Sequence, residues 1–413
     1  MKLSINRNSH EGFTTFELIA LFLYFMVEIN VELFVHRPLY IAIVVLTYFA
    51  LLMNMHGRFK TSMYFLWTVG WSLAIAFSLL YSINRSYTFT ALLTVLSRGI
   101  LFTLLISRIN NYNQVVRLLK LFIFCVILNT LYILYRVDVT TLGVSRIGAR
   151  TIESDVTWNS NSIGTLLAFS VFVIILLIVR KQYQGPMKSF MILVTIGFSI
   201  IILLCGSRVA LLLVLALPLL YYLLTSNVRN GIKRILFITL ALVGTFWILI
   251  NITPVYNVLG SRIERLVYNI LGIRTTVDGS ISSRNMLIRY GMEWFKESPI
   301  WGFGMYTFMQ KSAAITYYAW YAHNNYLEIA VGLGVIGLVI YYWYYIYILR
   351  NAFRDKSHNG RLVLSTIIVI LIAEYGTVAF KSFIYQFAIC LLSIMITLSK
   401  QQVIENGAIS NEG

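Results

Sequence analysis

The sequence is dominated by apolar blocks of roughly 16–24 residues with few charges among them. A helix rising about 1.5 Å per residue needs about 20 such residues to cross some 30 Å of hydrocarbon. Lipid offers no hydrogen-bond partners, so only helices and closed barrels can span it. The alternating pattern of a transmembrane barrel is absent. Composition points the same way: 59% of the 413 residues are hydrophobic and 12% charged, against about 45–50% and 25% in soluble domains. The expected fold is an all-α polytopic membrane protein with about twelve transmembrane helices.

The expected spans are 13–35, 38–55, 61–81, 88–108, 116–135, 161–179, 189–205, 209–225, 235–251, 326–349, 362–380 and 383–399. The first block carries Glu17 and no small-residue cleavage pattern follows it, so it reads as a retained span. The 37 residues from Ser189 to Thr225 would overshoot the bilayer as one helix. A hairpin at Gly206-Ser207-Arg208 resolves this and places Arg208 at a membrane surface. The chain then divides into spans one to nine (1–251), one large loop with short helices (252–325), spans ten to twelve (326–399) and a tail (400–413). That tail is polar and expected to be disordered. No internal repeat or soluble domain is visible.

A net charge of +17 would suggest nucleic acid in a soluble protein. Here eighteen of the 33 basic residues fall on one set of short connections, and four (Arg37, Arg85, Arg208, Lys381) on the opposite short turns. The positive-inside rule then puts both termini in the cytoplasm and the large loop outside. No nucleic-acid partner is expected; membrane lipids are. Cys125, Cys205 and Cys390 all fall within spans, so neither a disulfide framework nor a metal-binding spacing is present.

Polar chemistry concentrates outside. One loop, 136–160, carries Arg136, Arg146, Arg150, Glu153 and Asp155. The large loop holds Arg262, Arg265, Arg274, Arg284 and Arg289 against Glu264, Asp278, Glu293 and Glu297, with His323 as its one histidine. His36 is expected at another outer turn, and His10, His56 and His358 on the cytoplasmic side. Arginine forks suit phosphate oxygens, but such arginines also touch ordinary lipid or pair with neighbouring acids. A helix is expected from Ser282-Ser283 to Ser298-Pro299, with serine capping its start. Tyr317, Tyr318, Trp320 and Tyr321 either stack on sugars or form an interfacial belt. Asn159 and Asn161 either meet sugar hydroxyls or cap the sixth span. Arg98 and Glu374 fall inside expected spans, where a charge needs a partner. They are expected to pair with each other, together with Glu28 or Glu32.

GSRVALL at 206–212, the SxR helix, WFKESPIWGFGMYTF at 294–308 and HNNYLEIAVGLGVIG at 323–337 resemble the O-antigen ligase and Wzy polymerase superfamily. Its hallmark is matched by His323-Asn324, nine residues, then Gly334-x-x-Gly337. A GxxG alone marks only close helix packing; the ordered set is far more specific. Leu338-Val339 stand where ligases often carry Thr-Thr, which leans towards polymerase. The resemblance implies a GT-C-like membrane glycosyltransferase. Such an enzyme joins undecaprenyl-pyrophosphate-linked oligosaccharide repeats into capsular, O-antigen or exopolysaccharide chains, and a chain-length regulator is a candidate partner. A ligase for finished glycan is the nearest alternative and a lipid-linked glycan flippase the next, although flippases place polar groups at midplane in repeated halves. The resemblance assigns His323, Arg208 and Arg284 to catalysis. Arg289, Asn324, Asn159, Trp320 and Tyr321 would bind substrate, and Arg289 stands as a substitute for Arg284. No cofactor is expected, and with no outer carboxylate cluster the mechanism is expected to be metal-independent, in the periplasm or at the cell exterior.

The topology is testable with reporters. Alkaline phosphatase fused within 300–320 should be active, and a fluorescent protein fused after residue 413 should glow. The opposite pattern inverts the reading.

Overall fold

The computed structural model describes residues 12–30, 37–55, 59, 61–148, 159–225, 231–271 and 279–410. Nine helices come first: α1 Thr15–Ile29, α2 Arg37–Met53, α3 Met63–Ser78, α4 Arg85–Arg108, α5 Tyr112–Arg136, α6 Ser160–Val179, α7 Gly185–Cys205, α8 Arg208–Thr225 and α9 Gly231–Asn251. Three more follow, α10 Ser261–Ile270, α11 Gly279–Glu297 and α12 Phe308–Thr316. The chain closes with α13 Asn325–Arg354, α14 His358–Ala373 and α15 Phe383–Ser410. The segments expected to hold Glu32, His10, His36, His56, Arg150, Glu153, Asp155, Arg274 and Asp278 lie outside the described residues.

Among the described residues, seven helices are long and apolar enough to cross a membrane: α4 to α8, α13, and Phe383–Gln402 of α15. Three apolar helices are shorter, α2, α3 and α14. The end of α9 and the helix after Thr253 meet at a 90° bend. The protein is a polytopic membrane protein built of helices.

Local chemistry sets most helix starts. Ser62, Asn84, Asn111, Asn159, Asn324 and Ser357 each stand at an N-cap, with the side chain accepting a first-turn N–H. Thr14 and Glu17 form a reciprocal capping box at the start of α1. Between α7 and α8 the chain turns at Gly206, whose φ of +61° suits glycine, and α8 restarts at Arg208. The hairpin expected from length alone is therefore present.

α6 packs between α7 and α8, α8 also meets α14, and α13 meets α3 and α14. Phe25, Phe102, Phe122, Phe383 and Phe387 interlock where α1, α4, α5 and α15 converge. Trp67 stacks on Tyr344 and donates its indole N–H to the Tyr341 carbonyl, joining α3 to α13.

α13 is broken. Gly334 is non-helical at φ +63° and ψ −159°. The groups released there are re-paired with the segment after α11. Phe303 N–H donates to Val331 O at 3.0 Å, Gly304 N–H to Gly332 O at 2.9 Å, and Val335 N–H to Pro299 O at 2.8 Å. A Cβ on Gly334 would sit 2.2 Å from Ile300 O, and one on Gly302 would sit 2.5 Å from the Gly332 backbone. Two backbones lie in direct contact, so neither position has room for a side chain.

Four expectations need correction. α11 begins at Gly279, a turn before Ser282-Ser283, though it ends before Ser298-Pro299 as expected. α14 stops at Ala373, so 374–382 is a loop rather than the end of a span. The tail continues α15 as helix to Ser410, because good helix formers such as Gln401, Gln402 and Glu405 extend an existing helix without a new nucleus. Arg98 and Glu374 do not pair. Arg98 forms a two-pronged bridge to Glu28, Nη2 to Oε2 at 2.7 Å and Nε to Oε1 at 3.1 Å, while Tyr24 and Tyr40 donate to Oε1. One turn-matched repeat lower, Arg108 grips Glu17 at 2.6 and 3.1 Å. Both carboxylates are fully buried, and the two pairs fix the register of α1 against α4. Glu374 is held by neutral donors instead: Asn325, Tyr342 and Tyr345.

Removing one member of a buried pair strands the other charge, which costs about 3–5 kcal/mol. Arg98→Met alone should therefore lower the melting temperature in detergent more than Arg98→Met with Glu28→Gln. Equal melting of the single and double variants would remove this account.

Candidate functional site

The helix stripe of α11 decides what it delivers to the site. Leu287, Gly291 and Trp294 recur at helical spacing and pack on Leu327, Val331 and Phe308. Arg284 lies one turn before Leu287 on that same stripe. It therefore faces the start of α13 and is close enough to act on the charge of His323. Arg289 lies off the stripe, is exposed, and stacks its guanidinium 5.1 Å from the Tyr290 ring centroid. The helix brings Arg284, not Arg289, towards the histidine.

His323 occupies the left-handed backbone region at φ +53°, which costs a non-glycine residue on the order of 1–2 kcal/mol. Its neighbours hold it there. The Glu328 carboxylate accepts the Ala322 N–H at 2.8 Å. Asn324 caps α13 by accepting the Leu327 N–H at 3.1 Å. Asn325 donates its backbone N–H to Glu374 O and its amide to the Glu374 carboxylate, and accepts the Phe380 N–H. Asn324, expected to bind substrate, thus has its oxygen engaged in a cap and is 7% exposed. Glu328 and Glu374 are the positioning residues that reading by motif missed. A carboxylate at the helix start and a polar residue beside tyrosines were the available signals.

A cavity of about 470 Å³ opens beside His323. Tyr321 and Tyr306 line it, as do Arg98 and Glu28 from α4 and α1, Asn159 and Asn161 from α6, and Lys381 from the α14–α15 loop. The Tyr321 ring lies 4.0 Å from the imidazole, centroid to centroid. Trp320 is further, at 6.3 Å, and does not line the cavity. Asn159 caps α6 by accepting the Asn161 N–H, so its capping role is present, and it faces the cavity as well. Tyr317 and Tyr318 are largely exposed and away from the cavity lining.

The α7–α8 turn approaches from the side. Arg146 donates to Cys205 O and Asn161 Oδ1, and Arg262 donates to Gly206 O. These two arginines satisfy carbonyls at the negative end of α7. Arg265 donates to Ser261 O within its own helix. Arg208 opens α8, next to Val209, whose side chain abuts Gly376 of the cavity wall. Arg208 itself is not part of the lining.

Residues 193–342 match the family model described as O-antigen ligase. This stretch of the chain is similar to that family. Members of that family are membrane glycosyltransferase-like enzymes, ligases or polymerases. No curated protein matches the chain. The matched stretch contains α11, His323 and the break in α13 at Gly334. Arg98, Glu28, Asn159 and Lys381 come from outside it.

Burial foremost, then Arg284 and Lys381, push the His323 pKa down from 6.5 to about 4. The imidazole is neutral at physiological pH. Its folded value lies below its unfolded value, so its contribution to stability is complete above about pH 6.5 and is lost as pH falls towards 4. His323→Gln should therefore flatten the loss of melting temperature between pH 6.5 and 4. Parallel profiles for variant and wild type would contradict the assignment.

Proposed function

We propose that the protein is a glycosyltransferase that joins undecaprenyl-pyrophosphate-linked oligosaccharide repeats into a longer glycan, working at the extracytoplasmic face. The observation that carries this is a neutral, strained histidine on the wall of a cavity, with Arg284 close enough to act on its charge, in a chain whose residues 193–342 match the O-antigen ligase family model. The lining is mainly apolar but carries several polar side chains. Amides, hydroxyls and tyrosines suit a carbohydrate better than a lipid tail.

The reaction needs one bond made and one broken. The acceptor hydroxyl oxygen attacks the anomeric carbon, and the bond from that carbon to the pyrophosphate oxygen breaks. Negative charge develops on the leaving pyrophosphate, and Arg284 and Arg208 are the cations to stabilise it. His323 takes the hydroxyl proton as general base. In the empty site burial and two cations make it a weak base. An anionic donor beside Arg284 offsets part of that field and raises its basicity, so the base is strengthened when there is something to transfer. Direct displacement by the acceptor inverts the anomeric centre.

A ligase transferring finished glycan uses the same groups, and the description of the matched family favours it. Leu338-Val339, in place of a Thr-Thr pair, leans the other way.

Purified protein in detergent with undecaprenyl-pyrophosphate repeat units should yield longer glycans without any sealed compartment. His323→Ala, Arg208→Ala and Arg284→Ala should each lower the rate at least about 100-fold while the protein still folds. Normal rates in His323→Ala would end the general-base role, and a folded wild type with no product would sink the reading.

A further inference from the structure

We propose that the cavity selects an acceptor glycan carrying an acidic sugar, and that Lys381 is the residue that reads its carboxylate. The proposal rests on the glycosyl-transfer reading above and adds which substrate the site prefers.

Lys381 is built into the cavity wall. Its carbonyl accepts a hydrogen bond from Arg98 Nη1 at 2.5 Å, which ties the α14–α15 loop to α4. Its ammonium donates to the Tyr306 hydroxyl at 2.9 Å. It also sits 4.6 Å from the Tyr306 ring centroid and 4.5 Å from that of Tyr321. All three side chains line the cavity with His323.

The charges facing this space do not balance. Arg98 is matched by Glu28, which also receives Tyr24 and Tyr40. Glu328 lies near enough to feel Lys381, but its carboxylate is turned to the Ala322 N–H. Among the described residues no carboxylate lies within 4.0 Å of the Lys381 ammonium. A half-buried ammonium held over two ring faces is left ready for an anion. Around it Thr90, Thr94, Asn161, Ser162 and Ser382 present hydroxyls and amides. Hydroxyl partners plus one uncompensated cation describe a uronic acid better than a neutral hexose.

Two features separate this cation from those assigned to the leaving group. Arg284 reaches His323 from α11, whereas Lys381 comes from the α14–α15 loop. Pyrophosphate at the arginines leaves Lys381 facing the other reactant. Lys381, Arg98, Asn161 and the threonines also lie outside residues 193–342, where selection particular to this chain can vary without disturbing the transfer chemistry.

The test measures binding rather than turnover, on full-length protein in detergent. The probes are trigalacturonate, its carboxyl-reduced counterpart and inorganic pyrophosphate. Wild type should bind trigalacturonate about ten-fold or more tightly than the reduced trisaccharide. Lys381→Met should bring that ratio close to one, and Lys381→Arg should keep most of it. A wild-type ratio near one overturns the proposal even if no variant folds. So does a Lys381→Met protein that weakens pyrophosphate while keeping the ratio, since Lys381 would then serve the leaving group. A protein that shows the preference but makes no glycan would sink the transferase reading alone.

Discussion

The break in α13 at Gly334 is the constraint on which the rest of the site depends. In hydrocarbon an unpaired N–H or C=O costs several kcal/mol, so a helix can open there only against another backbone. The segment 299–304 supplies that backbone. It is held in turn by the α3–α4 turn, where Ile83 N–H donates to Phe303 O, Thr88 donates to Met305 O, and Ser78 accepts the Met305 N–H. Glycines at 302, 304 and 334 permit the contact because each has positive φ or no room for a side chain. The upper piece of α13, with His323 at its head, is thereby aimed independently of the lower span.

Electrostatics and hydrogen bonding give most of the polar residues a structural partner. Glu28 with Arg98 and Glu17 with Arg108 are buried pairs that lock α1 against α4. Glu374 accepts only neutral donors and orients Asn325, beside the histidine. Arg146 and Arg262 close the C-terminal end of α7. Lys381 lines the cavity beside Tyr306 and Tyr321, and Arg284 comes close enough to act on the charge of His323. A cluster of arginines in one loop is therefore several different devices, and only helix phase and carbonyl positions tell them apart.

Much of the fold was legible because lipid imposes a strict length and polarity on each span. Gly206-Ser207-Arg208 had to be a turn, since 37 residues overshoot the bilayer. Asn159 could be weighed as a cap for equally local reasons, whereas Asn324, expected to bind substrate, turned out to cap α13. The polar pairing inside the bundle was legible only in part: Glu28 was among the expected partners of Arg98, while Glu374 is not one of its partners. Arg98 and Glu374 are both ionisable within apolar blocks, and pairing them was the simplest guess. Glu28 rather than Glu374 meets Arg98 because α1, packed on α2 and α5, brings its carboxylate within reach of the long Arg98 side chain of α4. Likewise the choice between Arg284 and Arg289 turned on which face α11 buries.

By itself the sequence determined the class of protein, the hairpin at 206–208 and the motif that marks His323, because these follow from local length, polarity and spacing. Tertiary structure alone decided that Gly334 breaks its helix, that Glu28 answers Arg98, and that Lys381 joins Tyr306, Tyr321 and His323 at one cavity. Each of these depends on groups 28 to 283 positions apart in the chain meeting in space, and a one-dimensional pattern carries no term for that distance.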